Sequence, residues 1–154
     1  MRPRARPRGF TLTELMIVVT VMAILMAVAL PNFAVFVRNQ RVKTASFDVF
    51  SSLVYARSEA VTRNAAVTMA PVTAGSWISG WTVKDSGGTV LRSQDPIPGI
   101  SFSRFPTSVV YAGSGRLSAV PDDKFELTAT GSGITTRCIS IDLSGRPVTK
   151  AAAC

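Results

Sequence analysis

From Leu15 to Leu30 the chain carries one polar residue, Thr20. With Phe10, Leu12 and the segment Phe33 to Val37, the apolar run approaches the roughly 20 residues that cross a bilayer as a helix. Pro31-Asn32 interrupts it, and a proline that lacks a donor and crowds the preceding turn predicts a kink there. Beyond the proline the helix is expected to resume and run to about Asn64. Phe47, Phe50, Val54 and Val61, in steps of three, four and seven, predict an apolar stripe facing a core, with Arg41, Lys43, Asp48, Arg57 and Arg63 off it. After Arg63-Asn64 the period changes from helical to alternating. Ala65 to Val72, Ser76 to Lys84, Thr89 to Ser93, Ile100 to Phe105, Val109 to Ala112, Lys124 to Thr130, Thr136 to Leu143 and Pro147 to Lys150 read as short strands. The clearest alternation sets Phe125, Leu127 and Ala129 against Glu126, Thr128 and Thr130. Turns are marked by Ser86-Gly87-Gly88, Pro96-Ile97-Pro98-Gly99, Gly113-Ser114-Gly115, Pro121-Asp122-Asp123 and Gly131-Ser132-Gly133. Short strands after one long helix predict an α+β chain with an antiparallel sheet packed on that helix.

Charge sharpens this division. The formal net charge is +8 over 154 residues, but Arg2, Arg4, Arg6 and Arg8 precede the apolar run and Arg38, Arg41 and Lys43 follow it. Beyond position 44, ten Lys/Arg face eight Asp/Glu, so the folded part is only mildly basic and charge alone gives weak support for nucleic acid. The positive leader fits the positive-inside rule, with Arg38, Arg41 and Lys43 making the contrast across the span modest. Excluding leader and span leaves about 110 residues, enough to bury a core.

The chain has no histidine, hence neither the commonest general base nor the commonest metal ligand. Two cysteines, Cys138 and Cys154, are too few for a structural zinc site. In a domain outside the cytoplasm they would pair as a disulfide, closing a loop of about 17 residues for roughly 3 kcal/mol. The alternative is a pair of free thiols. Asp122-Asp123 reads as a turn, and the Gly-Ser-Gly stretches lack the lysine and following helix of a phosphate loop. No catalytic constellation, metal site, cofactor or small-molecule substrate is expected.

Two features remain at the start of the apolar run, a Gly9-Phe10 junction and the carboxylate of Glu14. Thr11 and Glu14 have the spacing of a helix capping box, in which Glu14 satisfies backbone N–H groups. A conventional secretory signal is a further reading, with Ala27-Val28-Ala29 as the cleavage site before Leu30. At membrane depth, however, an ionisable group usually has a partner or a task.

Gly9-Phe10-Thr11-Leu12-Thr13-Glu14-Leu15, between a basic leader and a long apolar helix, resembles the processing site of type IV pilins and of type II secretion pseudopilins. The resemblance implies cleavage after Gly9 by a prepilin peptidase and methylation of the new amino terminus at Phe10. It also implies assembly roles for Glu14, fifth from Phe10, and for the helix-disturbing Pro31. Tyr55-Ala56-Arg57-Ser58-Glu59-Ala60-Val61-Thr62-Arg63-Asn64, then Gly80-Trp81-Thr82-Val83-Lys84-Asp85 and Gly145-Arg146, is similar to the GspH/FimT family of minor pilins.

The resemblance implies a type IV pilin fold in four parts. Residues 1–9 would be a cleaved leader, 10–37 the transmembrane half of the helix, 38–64 its amphipathic half, and 65–154 a β-rich periplasmic or extracellular domain. The expected function is that of a non-enzymatic minor pilin of a type IV pilus, with a minor pseudopilin of type II secretion as the alternative. Expected partners are other pilins through the N-terminal helix, the prepilin peptidase and inner-membrane lipid. The expected location is the inner membrane, single-pass with a periplasmic domain, and then the filament. Some members of the family bind DNA through a C-terminal G-R-x-R motif. Here the sequence is Gly145-Arg146-Pro147-Val148, without the second arginine, and Arg137, Arg146 and Lys150 are the candidate DNA contacts.

Overall fold

The computed structural model describes residues 10–154, with the side chains of residues 28–31 left aside. Gly9 and the side chain of Pro31, two of the expected site positions, lie outside the described residues. One helix, α1 (Leu12–Arg63), takes up 52 residues. It starts at Thr11, whose side chain and that of Glu14 form a reciprocal capping box, and ends where Asn64 turns left-handed at φ 48°. Asparagine tolerates that conformation, and its N–H closes on the Ala60 and Val61 carbonyls. Within α1 the stretches Leu12–Ala27 and Asn32–Arg63 are inclined to each other by 45°.

Eight strands follow in the places that the alternation predicts: β1 (Val67–Thr73), β2 (Ser76–Asp85), β3 (Val90–Gln94), β4 (Ser101–Arg104), β5 (Val109–Tyr111), β6 (Phe125–Thr128), β7 (Arg137–Ile141) and β8 (Pro147–Lys150). They form two four-stranded sheets, β3-β2-β1-β5 and β4-β6-β7-β8, antiparallel at each pairing. The second half of α1 packs on both sheets. Each sheet turns its apolar face toward that helix: Val67, Met69, Trp81, Val83 and Tyr111 from the first, Phe125, Leu127 and Ile139 from the second. Trp77 joins the two layers, standing edge-on to Phe125 at 4.7 Å and 6.0 Å from Trp81, with its indole N–H donated to the Pro106 carbonyl at 2.8 Å.

The helix does not bury the stripe that its large side chains predict. Phe47, Val54 and Val61 are 66%, 44% and 53% exposed, and Phe50 is half-buried. Val42, Ala45, Val49, Leu53, Ala56 and Ala60 are buried instead, on a face about a third of a turn away. The reason is steric. Both stripes have helical spacing, but a helix laid against two sheets that already supply Trp77, Trp81, Tyr111 and Phe125 presents mainly small and β-branched residues, with Leu53 the one larger side chain. Ser46 and Ser52 are buried on this face too, Ser46 donating its hydroxyl to the Lys43 carbonyl at 2.8 Å. The large apolar residues are left facing outward.

Candidate functional site

Three regions carry the residues expected to matter. At the helix start, the Thr11 N–H and hydroxyl both donate to Glu14 Oε2, each at 2.9 Å, and the Glu14 N–H donates to the Thr11 hydroxyl at 3.3 Å. Glu14 therefore caps the helix. Its other oxygen, Oε1, accepts no bond from the described residues. From Phe10 to Met26 every large apolar side chain is exposed, as are Phe33 and Phe36. The one hydroxyl in the run, Thr20, donates back to the Met16 carbonyl at 2.7 Å, so it brings no unsatisfied donor into an apolar medium. Among the described residues no single helix is long and apolar enough to cross a membrane, but Leu12–Ala27 and Asn32–Arg63 taken together meet that length and composition.

Where α1 enters the globular part, the chain clasps it. Arg38 donates to the Thr130 carbonyl at 3.2 Å, and the Asn39 side chain bonds both ways with the β6–β7 loop, donating to the Gly133 carbonyl at 3.0 Å and accepting from the Thr135 N–H at 2.7 Å. Sequence reading missed this clasp, since an isolated asparagine among polar helix positions has no periodic signature. On one flank beyond it, Lys43, Phe47, Phe50, Arg137 and Thr149 line a groove of about 290 Å³. On the other, Phe36, Arg41, Thr44, Asp48, Ile97 and Pro98 line a hollow of about 520 Å³. Burial pushes the Asp48 carboxyl above its ordinary value, with nearby Arg92 opposing that shift.

The third region is the end of the chain. Cys138 and Cys154 are joined as a disulfide, with Cα atoms 5.0 Å apart. The Cys154 N–H donates to Glu126 Oε2 at 2.6 Å and the Ser103 hydroxyl to Oε1 at 2.7 Å. Those bonds, Ser103 first, hold the Glu126 carboxyl below its ordinary range. The three candidate DNA-binding cations are not gathered into one patch. Cys138 stands opposite Lys150 in the β7–β8 register, so Arg137, one residue earlier, points to the other face, into the groove with Lys43. Arg146 sits in the β7–β8 turn, about 13 Å of strand away from Lys150.

A different set of arginines lies together around that turn. Arg57 of α1 donates from Nε to the Gly115 carbonyl at 2.9 Å and from Nη2 to the Ser144 carbonyl at 3.2 Å, tying two glycine turns to the helix. The turns touch so closely that a Cβ at Gly145, where φ is +80°, would collide with the Gly115 carbonyl. Arg116 and Arg146, both exposed, follow these glycines. The paired glycines were the available sequence signal, but nothing in their spacing linked them to Arg57.

Comparison with known proteins gives a consistent result. Residues 45–145 match the family model described as type II transport protein GspH, and residues 4–30 match the prokaryotic N-terminal methylation motif. No curated protein sequence matches the chain. Among solved structures, the fold is similar to the type IV minor pilin FimU of Pseudomonas aeruginosa in two crystal forms. One superposes with a TM-score of 0.63 at 21% identity over 75% of this chain and 92% of FimU; the other with 0.60 at 22% identity over 70% and 91%. At such identities the likeness concerns the fold, a long helix packed on antiparallel sheets.

Proposed function

The chain belongs to the GspH family, and we propose that it is a minor pilin, a non-enzymatic subunit that enters a type IV pilus through its N-terminal helix. The observation that carries this reading is the exposed apolar stretch from Phe10 to Met26, with Phe33 and Phe36 beyond it, begun by a carboxylate and continuous with a well-packed domain. Such a surface is stable only in lipid or against other apolar helices. The subunit would be cut after Gly9 and methylated at Phe10, held single-pass in the inner membrane with its domain in the periplasm, then moved into the filament. In the filament Glu14 Oε1 would receive the methylated amino terminus of a neighbouring subunit, and Pro31 would set the bend of the packed helix.

The test is the intact mass and N-terminal residue of the mature protein, isolated from membranes of cells that carry the matching peptidase. A start at methylated Phe10 supports the reading; a start at Leu30 means a secreted soluble domain and ends it. The description of the matched family favours a second reading, a minor pseudopilin of type II secretion. Loss of protein secretion with intact pili in a deletion strain would select it. A further role in DNA uptake would rest on Arg116 and Arg146 on adjoining turns, rather than on Arg146 with Arg137 and Lys150. DNA retention that is salt-sensitive and lost in R116Q/R146Q would support it, and retention unchanged by salt or by these substitutions would refute it.

A further inference from the structure

Arg38, Arg41, Lys43 and Arg137 surround α1 where it leaves the apolar run. The first three are exposed, and Arg137, at the start of β7, lines a groove with Lys43, Phe47 and Phe50, farther along the helix than Arg38. Among the described residues none of the four pairs with a carboxylate. The ion pairs join Arg63 to Glu59 and Asp85, and Arg104 to Asp123, all farther along the chain. The nearest acid on the helix, Asp48, is engaged electrostatically with Arg92. Four cations, none of them ion-paired among the described residues, are thus concentrated next to the proposed membrane span, on the side where the positive-inside rule disfavours them.

We propose that this collar binds the headgroups of anionic phospholipids and holds the domain against the outer face of the membrane before assembly. The inference rests on the reading of α1 as membrane-spanning. The chemistry fits lipid in three ways. The collar begins at Arg38, directly after the last residues of the apolar run, with the exposed rings of Phe33 and Phe36 just before it. Helical side chains lean toward the N-terminus, here toward the membrane, so Lys43, about 7.5 Å farther along the axis than Arg38, still reaches back to headgroup level. Lys43 and Arg137 line one groove, so a single headgroup phosphate can meet both cations.

The experiment reconstitutes the full chain into nanodiscs of phosphatidylcholine with one fifth phosphatidylglycerol and measures, by native mass spectrometry, which lipid stays bound. The expected result is retention of phosphatidylglycerol over phosphatidylcholine, falling about fivefold for each cation neutralised at low ionic strength and less in high salt. R38Q/R41Q/K43Q/R137Q removes the whole collar. K43Q/R137Q leaves the Arg38 clasp untouched and keeps the test valid if the fourfold variant does not fold. Equal retention of both lipids by the wild type, or an unchanged preference in a folded K43Q/R137Q together with R41Q, overturns the proposal. A chain that fails to insert into these nanodiscs removes the spanning reading itself, a result distinct from insertion without lipid preference.

Discussion

The two halves of α1 have the same backbone geometry and opposite surroundings. Leu15, Met16 and Ile17 in the first half are 59%, 63% and 64% exposed, whereas Val42, Val49, Leu53 and Ala56 in the second are 0% exposed. The first half is apolar apart from Thr13, Glu14 and Thr20, and no described part of its own chain covers it; the second is amphipathic and supports two sheets. The difference teaches where the information for each half lies. The second half is covered by this chain's own sheets, while the first leaves its apolar surface exposed, the surface that the proposed function assigns to lipid or neighbouring subunits. Substitutions should therefore separate into those that alter assembly without altering the domain and those that do the reverse.

The largest expected effect is on assembly alone. Glu14→Val should leave processing and membrane insertion intact but lower filament incorporation about a hundredfold or more, because removing one member of a buried charge pair costs about 3–5 kcal/mol. Immunoblots of sheared filaments against membranes would measure it. The urea midpoint of the domain, read by the fluorescence of buried Trp77 and Trp81, should not move. Normal incorporation of the variant would remove the pairing role and leave Glu14 as a cap.

Leu53→Ala tests the other half. Leu53 is fully buried between the sheets, and its truncation should destabilise the domain by about 2–5 kcal/mol. Little change in the urea midpoint would mean that the helix face is not the one assigned. Opening the Cys138–Cys154 disulfide, which spans a sequence separation of 16, should lower stability by about 3 kcal/mol and free the C-terminal segment from Glu126. A midpoint equal in reduced and oxidised protein would contradict this.

Acid should act on the domain through its hydrogen-bonded carboxylates. Glu126, Asp122 and Asp142 are held below their ordinary values, Asp122 by the Thr107 hydroxyl and N–H, and Asp142 by the Ser144 hydroxyl and the Arg146 N–H. A depressed carboxylate contributes stability that is complete above its unfolded value and lost as pH falls through its folded one. Stability should thus be level near neutrality and decline once the pH drops below the ordinary values of 4.5 for Glu126 and 3.8 for the aspartates. Asp48, raised by burial, acts in the opposite sense and blunts the upper edge of the decline. Urea midpoints measured from pH 7 to pH 3 would reveal a rise instead, if these contacts were unimportant.

Much of this architecture was legible in the sequence. Strands at Phe125–Thr128 and Pro147–Lys150 could be read because side-chain alternation and Gly/Pro turns are local properties. The N-terminal methylation motif that residues 4–30 match was legible for the same reason, since its signal is local spacing. What failed was long-range. Arg137, Arg146 and Lys150 are close in sequence, but strand pairing sends the first and last to opposite faces and leaves Arg146 at the far turn. The clasp by Asn39 and the Arg57 bridge depend on segments more than fifty residues away, which no window of the sequence contains.

Phe47 offers the smallest and most discriminating test, because it lies on the stripe that periodicity assigned to the core and the fold turns outward. Phe47→Ala should change domain stability by no more than about 0.5 kcal/mol, as expected of an exposed position, and leave the urea midpoint in place. A buried phenylalanine would instead cost about 3–5 kcal/mol. The same substitution removes apolar surface from the outward face of the helix beside the Lys43–Arg137 groove, so its consequence should appear in the filament fraction and not in the folded domain. A large loss of stability would return Phe47 to the core and exchange the two faces of the helix. Unchanged stability together with reduced incorporation would show that the outward stripe belongs, like the bare first half of α1, to contacts that this chain does not make with itself.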